Sequence, residues 1–423
     1  MQNFWIKIKL LFKDAGLKKK ILFILFALAL FRVLAVIPIP GIDTLQLEQF
    51  LANNQFFGLL NVFSGGGLSN LSIVMLGVAP YITAVIIMQL LTIMVPKLKA
   101  LYHEEGELGK KKFNQYGRLL TIPLAIMQGF GLISLLARQG VLGELTTFDK
   151  LSGVIIVAAG SILLMWIGEL ITEYGIGNGV SLIIFAGIVA SLPTVVNQLI
   201  FSFDPSQIPM YLGFIFAAIT ITAGVVVVTE AERPIPITYA KKVRGNKVYG
   251  GVSTYLPLRV NQAGVIPIIF ALSLLLFPQM IANFMVTMDN SVIQAIANFI
   301  LAFFENGLFY SSFYFIMVFL FTYFYTAVTF DPEAIATNLQ KSGAFIPGVR
   351  PGQSTSLHIS KILNRITLVG ACFLGLIAVL PLAMQAITGQ AALAIGGTAL
   401  LIAVSVVLDL VKKIDAQISM REY

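Results

Sequence analysis

Cysteine occurs once in this 423-residue chain and histidine only twice. A single thiol, Cys372, excludes an intramolecular disulfide, and its apolar surroundings offer no companions for a metal cluster. His103-Glu104-Glu105 opens like an intramembrane metalloprotease motif, but four positions beyond His103 stands Glu107, so the second zinc ligand is missing. His358, like His103, falls in a loop rather than in an apolar span. No glycine-rich phosphate loop ending in Gly-Lys-Ser or Gly-Lys-Thr occurs. The chain therefore reads as non-enzymatic, with no catalytic residue, cofactor site or metal site.

Charge is scarce as well. Asp, Glu, Lys and Arg make up 11% of the residues, about half the usual share of a soluble domain. Near the apolar spans only Arg32, Glu169 and Glu230 are ionisable, and the last two sit at span ends. A proton- or sodium-coupled carrier usually holds such groups near the bilayer midplane. Their scarcity favours a passive conduit whose energy comes from a partner.

Apolar residues are what the chain has in abundance: 57% of the total, with a mean hydropathy of +0.89. Spans fall near 21–39, 73–95, 118–137, 152–171, 180–200, 211–230, 263–285, 308–330, 363–384 and 392–411, so both termini lie on one side. Of the 28 Lys and Arg residues, 25 fall on that terminal side. Only Arg138 and Lys150 lie opposite, and Arg32 is inside the first span. This asymmetry is the positive-inside signature with cytoplasmic termini, and it accounts for the net charge of +8. Arg32 reads most simply as a snorkelling or bundle-paired cation. Lys18-Lys19-Lys20 precede an apolar run too long for a cleavable leader and without a small-residue cleavage site. Residues 3–15 mix Phe4, Trp5, Ile8, Leu11 and Phe12 with lysines, the pattern of an amphipathic surface helix.

Short motifs recur in order. Ile37-Pro38-Ile39-Pro40 ends the first span, and Pro234-Ile235-Pro236-Ile237 follows the sixth. Gly77-Val78-x-Pro80-x-Ile82 opens the second span, and Gly264-Val265-x-Pro267-x-Ile269 opens the seventh. Glycines also mark the starts of the fifth span (Gly175, Gly177, Gly179) and the tenth (Gly396, Gly397). Equivalent spans in halves of five run in opposite directions, so the expected fold is an all-α polytopic bundle of two inverted halves with its working site between them.

The stretch from Gln55 to Val95 is the most irregular. Phe56–Phe63 is too short to cross a bilayer, and Gly65, Gly66 and Gly67 separate it from a full apolar run. That order suggests a broken helix, its short part a movable stopper, although an interfacial helix would look the same. Val78 and Ile82 lie four apart, as do Val180 and Ile184. Such branched aliphatics could form a constriction that dewets, or could simply pack helices. Two cytoplasmic loops exceed connector length. Residues 237–249 alternate around Gly245-Asn246 as a β-hairpin with a cationic tip (Lys241, Lys242, Arg244, Lys247). Residues 342–352 form a Gly- and Pro-stiffened loop presenting Arg350.

Taken together, FRVLAVIPIPGID (31–43), NVFSGGGLSNLSIVMLGVAPYI (61–82), GELITEYGIGNGVSLIIFAGIVA (168–190), YLPLRVNQAGVIPIIFA (255–271), DPEAIATNLQKSGAFIPGVRPG (331–352) and IGGTALLIAV (395–404) resemble the SecY family, the central channel subunits of the Sec protein translocase. The resemblance covers essentially the whole chain. It implies an hourglass with a first half over 21–200, a second over 201–411, a cytoplasmic segment 1–20 and a tail 412–423. It further implies a pore ring of Val78, Ile82, Val180, Ile184, Ile269 and Ile402, two of them valine where relatives commonly have isoleucine. A plug would span 57–71, with Phe57, Leu60, Phe63 and Gly65 to Gly67. Thr83, Gln89, Gln128 and Asn261 would line a lateral gate between spans two and three and spans seven and eight, opening to lipid. The large loops 231–262 and 331–361 would receive the motor ATPase SecA and the ribosome, with SecE and usually SecG as companion subunits. Asn246-Lys247 stands where some relatives carry two arginines, and lysine lacks arginine's bidentate fork. The implied activity is passage of unfolded precursor polypeptides across the bacterial cytoplasmic membrane, signal sequences leaving sideways. A secondary transporter of a small solute is the alternative from another class.

Overall fold

A computed structural model describes residues 14–39, 61, 64–103, 105–138, 142, 146–201, 208–240, 242–244, 247–249, 253–286, 290–388 and 391–419. The first helix, α1 (Ala15–Leu34), starts where the Asp14 carboxylate accepts the Gly16 and Leu17 amides. It buries Leu17, Ile24, Ala27 and Phe31 along one face. Leu22, Leu25, Phe26, Leu30 and Val33 stay exposed on the other side, as lipid-facing residues would. The helix ends earlier than the expected span, because Pro38 disfavours helical backbone before it and itself pairs as an isolated bridge with Ser72. The surface helix expected over 3–15, and most of the short segment Phe56–Phe63, lie outside the described residues.

The second span is shorter than its apolar run. Residues 64–77 form successive turns, and helix α2 covers only Ala79–Met94. Val95 is drawn into extended geometry ahead of Pro96, and α3 (Pro96–His103) leaves at 114° to α2. Then follow α4 (Gly106–Arg138), α5 (Thr147–Tyr174), α6 (Gly179–Phe201) and α7 (Ile208–Glu230). A reciprocal cap between Thr146 and Asp149 starts α5.

The expected hairpin is rooted deeper than its sequence suggested. Strand β1 (Glu232–Tyr239) leads to β2 (Lys242–Arg244), β3 (Lys247–Tyr249) and β4 (Ser253–Arg259). β1 pairs antiparallel with β4 from Glu232↔Arg259 to Thr238↔Ser253, and β2 pairs with β3 at the tip. The expected hairpin thus forms only the outer end of a longer ribbon. The IPIP-like run is its inner strand.

The chain continues through α8 (Ile266–Met285), α9 (Ser291–Glu305), α10 (Gly307–Thr329) and α11 (Pro332–Lys341). Short strand β5 (Ala344–Phe345) adds to β1, before α12 (Gln353–Thr388) and α13 (Ala391–Ser419). The ten expected spans thus map onto α1, α2, α4, α5, α6, α7, α8, α10, α12 and α13. Among the described residues α4, α5, α10 and α12 are each long and apolar enough to cross a bilayer alone, and α2 with α3 qualifies as a bent pair.

Two expectations about α13 change. Gly396 and Gly397 lie inside the helix and do not open it, and the helix runs on through most of the supposed tail, with Ile418 in the main core. The helices of the two expected halves meet chiefly along two seams, α8 against α2 and α4, and α6 against α13.

Close contact inside the first half yields a prediction. A methyl group at Gly160 of α5 would overlap the carbonyl oxygen of Ile73, whereas one at Gly117 of α4 would meet nothing within 4 Å. Gly160→Ala should lower stability by about 1–3 kcal/mol through overpacking, and Gly117→Ala should not. Thermal unfolding of the purified protein in detergent checks the pair.

Candidate functional site

The repeated motif gives matching backbone at both helix starts. Gly77 has φ +58 and Gly264 has φ +62, the left-handed region that a side chain would strain. Pro80 and Pro267 follow in the first helical turn, where a missing amide costs nothing. The Val78 carbonyl accepts the Ile82 amide (3.1 Å), and the Val265 carbonyl accepts the Ile269 amide (3.2 Å). Val78 is therefore the cap of α2 rather than part of its run, but it keeps the one-turn relation to Ile82.

The six expected ring residues fall in or against the main apolar core. Val78 and Ile82 come from α2, Ile184 from α6, Ile269 from α8 and Ile402 from α13, and all five belong to one buried apolar cluster. Their exposures, from 0% to 6%, leave no room for water at their side chains. Val180 is partly buried and packs against the same cluster. Two helices of each expected half contribute. Aliphatic side chains offer no atom to replace an ion's hydration.

Beyond the cluster lies the loop of residues 61–76, which satisfies its own polar groups. Asn61 accepts the Gly66 amide on its carbonyl (2.8 Å) and the Ser69 amide on its side chain (2.9 Å). Ser64 Oγ accepts the Leu68 amide (3.0 Å), and the Gly67 carbonyl accepts the Ser72 amide (2.8 Å). At its base the loop pairs with the Ile-Pro-Ile run: Ile39 donates to the Leu71 carbonyl (2.9 Å), and Ile73 to that of Ile37 (3.0 Å). Of the expected plug residues Gly65, Gly66 and Gly67 are in this loop, while Phe57, Leu60 and Phe63 lie outside the described residues. Sequence reasoning missed the role of Arg32. Its Nη1 donates to the Gly65 carbonyl at 2.6 Å.

The expected gate residues are distributed over helices that abut. Thr83 and Gln89 belong to α2 and Gln128 to α4, and Thr83 and Gln128 are buried. Asn261 precedes α8, where its amide donates to the Gly264 carbonyl (3.2 Å). Among the described residues, the side-chain oxygens of Gln89 and Asn261 are buried with no partner. Buried acceptors left unpaired cost free energy. Ser273 and Gln279 of α8 are also buried and polar; their place in an otherwise apolar run was the signal for them.

On the hairpin side, a cavity of about 330 Å³ opens near Asn178, Asn261, Ser405 and Lys413. Charges around it are paired: Arg259 with Glu232 (3.2 Å), Lys412 with Glu230 (2.9 Å) and Lys413 with Asp409 (2.6 Å). In the hairpin, Lys242, Arg244 and Lys247 flank the tip on β2 and β3, and Lys241 lies outside the described residues. Arg350 is exposed in a loop bent by Gly348 and Gly352, its carbonyl accepting the Thr355 hydroxyl (2.9 Å).

The sequence pattern of the SecY family matches residues 72–411. The chain is 44% identical over 417 residues to the protein translocase subunit SecY of Thermus thermophilus, covering 96% of this chain and 94% of the relative. "The structure of a protein conducting channel" shares its fold with a TM-score of 0.65 at 19% identity, covering 93% of this chain and 91% of that one. "Sec61 in the Canine ribosome-channel complex from the endoplasmic reticulum" does so with a TM-score of 0.61 at 19% identity, over 93% and 91%. These likenesses do not favour the small-solute transporter. The chain belongs to the SecY family, as a multi-pass membrane protein and a subunit of a protein translocase rather than an enzyme.

Proposed function

We propose that this chain conducts unfolded polypeptides through the aliphatic constriction formed by Val78, Ile82, Val180, Ile184, Ile269 and Ile402. The convergence of these side chains from α2, α6, α8 and α13 into one apolar cluster carries the reading. In the resting channel the side chains seal by dewetting. A translocating segment displaces them, and because they are aliphatic they close around any sequence without binding it. The loop from 57 to 71 acts as a plug on the far side. The inverted halves over 21–200 and 201–411 part along α8, where Thr83, Gln89, Gln128 and Asn261 lower the cost of admitting a signal sequence sideways.

No energy source lies in the chain itself, so partners supply it. The ribbon of β1 to β4, tipped by Lys241, Lys242, Arg244 and Lys247, and the loop carrying Arg350 are the docking elements for SecA and the ribosome. The ribosome-bound complex of the same fold supports that use of the face. SecE and SecG complete the assembly, and the charge asymmetry supports a bacterial cytoplasmic membrane with both termini inside.

Crosslinking during transport tests the pore. With Cys372 replaced, single cysteines at Ile82, Ile184, Ile269 and Ile402 should all link to one short stretch of a precursor stalled midway. If a competent stalled precursor reaches none of them while lipid-facing positions label normally, the pore assignment fails. The seal is tested by conductance. Val78→Ser with Ile82→Ser should raise resting ion conductance by about an order of magnitude, since polar side chains favour wetting. An unchanged single-channel recording would count against the ring.

A further inference from the structure

We infer that Arg32 is a positioning residue of this channel, holding the loop at Gly65 in its docked place and setting how readily that loop leaves. The inference rests on the reading of residues 57–71 as a plug.

The loop's polar groups are satisfied largely within residues 61–72. It can therefore move as a body without losing its own hydrogen bonds. Its ties to α1 and the chain just beyond it fall into two groups. Three lie near the base, where the chain turns toward α2: Ile39 to Leu71, Ile73 to Ile37, and Asn70 Nδ2 donating to the Ala35 carbonyl at 3.3 Å. These are placed to act as a hinge. The fourth is Arg32 Nη1 to the Gly65 carbonyl, at the loop's opposite end.

The seat at that end is tight. Gly65 is buried with φ +69, and a methyl group there would overlap the Phe31 ring and come within 3.1 Å of Gly187 Cα on α6. Only glycine lets the loop approach both helices closely enough for its carbonyl to meet the guanidinium. Arg32 itself is exposed. A snorkelling arginine would spend its donors on water and headgroups, yet this one turns a donor onto a buried carbonyl. Among the described residues no carboxylate pairs with it. A charged donor on a neutral acceptor is stronger than an ordinary hydrogen bond but has no buried counter-ion to strand on release. The contact is thus firm enough to hold and simple to undo.

The test uses the reconstituted channel with its companion subunits, Cys372→Ser throughout, and Leu68→Cys as reporter, a position 0% exposed when the loop is docked. A membrane-impermeant maleimide is applied from the plug side, at rest and with a precursor stalled in transit. A stalled precursor should expose the reporter whatever stands at position 32. Arg32→Gln should raise resting labelling about fivefold, the scale for losing one charge-assisted hydrogen bond at a partly exposed site, and resting conductance with it, while transport persists. Arg32→Lys, which keeps a charged donor, should fall between the two. Gly65→Ala, which unseats the loop from the other side, should match Arg32→Gln and decides the matter if that variant fails to accumulate. If a stalled precursor leaves the reporter unlabelled, the plug reading itself fails. If it exposes the reporter but Arg32→Gln does not raise labelling at rest, the role of Arg32 is overturned, whatever Gly65→Ala does.

Discussion

Backbone that leaves the helix inside a membrane protein must find hydrogen-bond partners within the protein, because hydrocarbon supplies none and each orphan costs several kcal/mol. Residues 64–77 take on that obligation at the centre of the first half. Serine and asparagine side chains stand in for missing helical partners, and the Ile-Pro-Ile run supplies an edge to pair with. These polar demands are met locally, while Leu68, Leu71, Met75 and Leu76 pack among Leu132, Leu136, Val154 and Val157 of α4 and α5. The segment is thus irregular in backbone yet held in the core by its apolar side chains.

The proposed ring makes no such demand. Val78, Ile82, Val180, Ile184, Ile269 and Ile402 carry no polar side-chain atoms, so their burial leaves no hydrogen bond to satisfy. Among the described residues the unpaired buried oxygens that do carry a cost include those of Gln89 in α2 and Asn261 before α8, and also those of Ser161 in α5, Tyr314 in α10 and Gln417 in α13.

Much of this was legible in the sequence. Long apolar runs announced ten helices, and the paired Gly-Val-x-Pro-x-Ile motifs located two helix starts whose glycines share a left-handed backbone. What was misread follows from local rules overridden by neighbours. Apolar residues 73–78 looked helical by hydropathy, but Gly77 and Pro80 delay the helix to Ala79. The prolines of β1 disguised a strand, since proline normally weakens a ladder. Gly396 and Gly397 looked like a helix start and are interior, where an apolar membrane helix tolerates them. Arg32 was legible only as a snorkelling or bundle-paired cation, because its partner is a backbone carbonyl 33 residues away, with no side chain to signal it.

The sharp bend after α2 has a mechanical consequence. α3 does not project freely but lies along α4, with Tyr102 and Phe113 in ring contact at 4.9 Å. It acts as a brace between the two helices that α8 touches in the first half. Parting α2 from α4 would prise that brace away as well, whereas parting either from α8 would leave it in place. The bend thus makes the seam along α8 the less encumbered of the two borders.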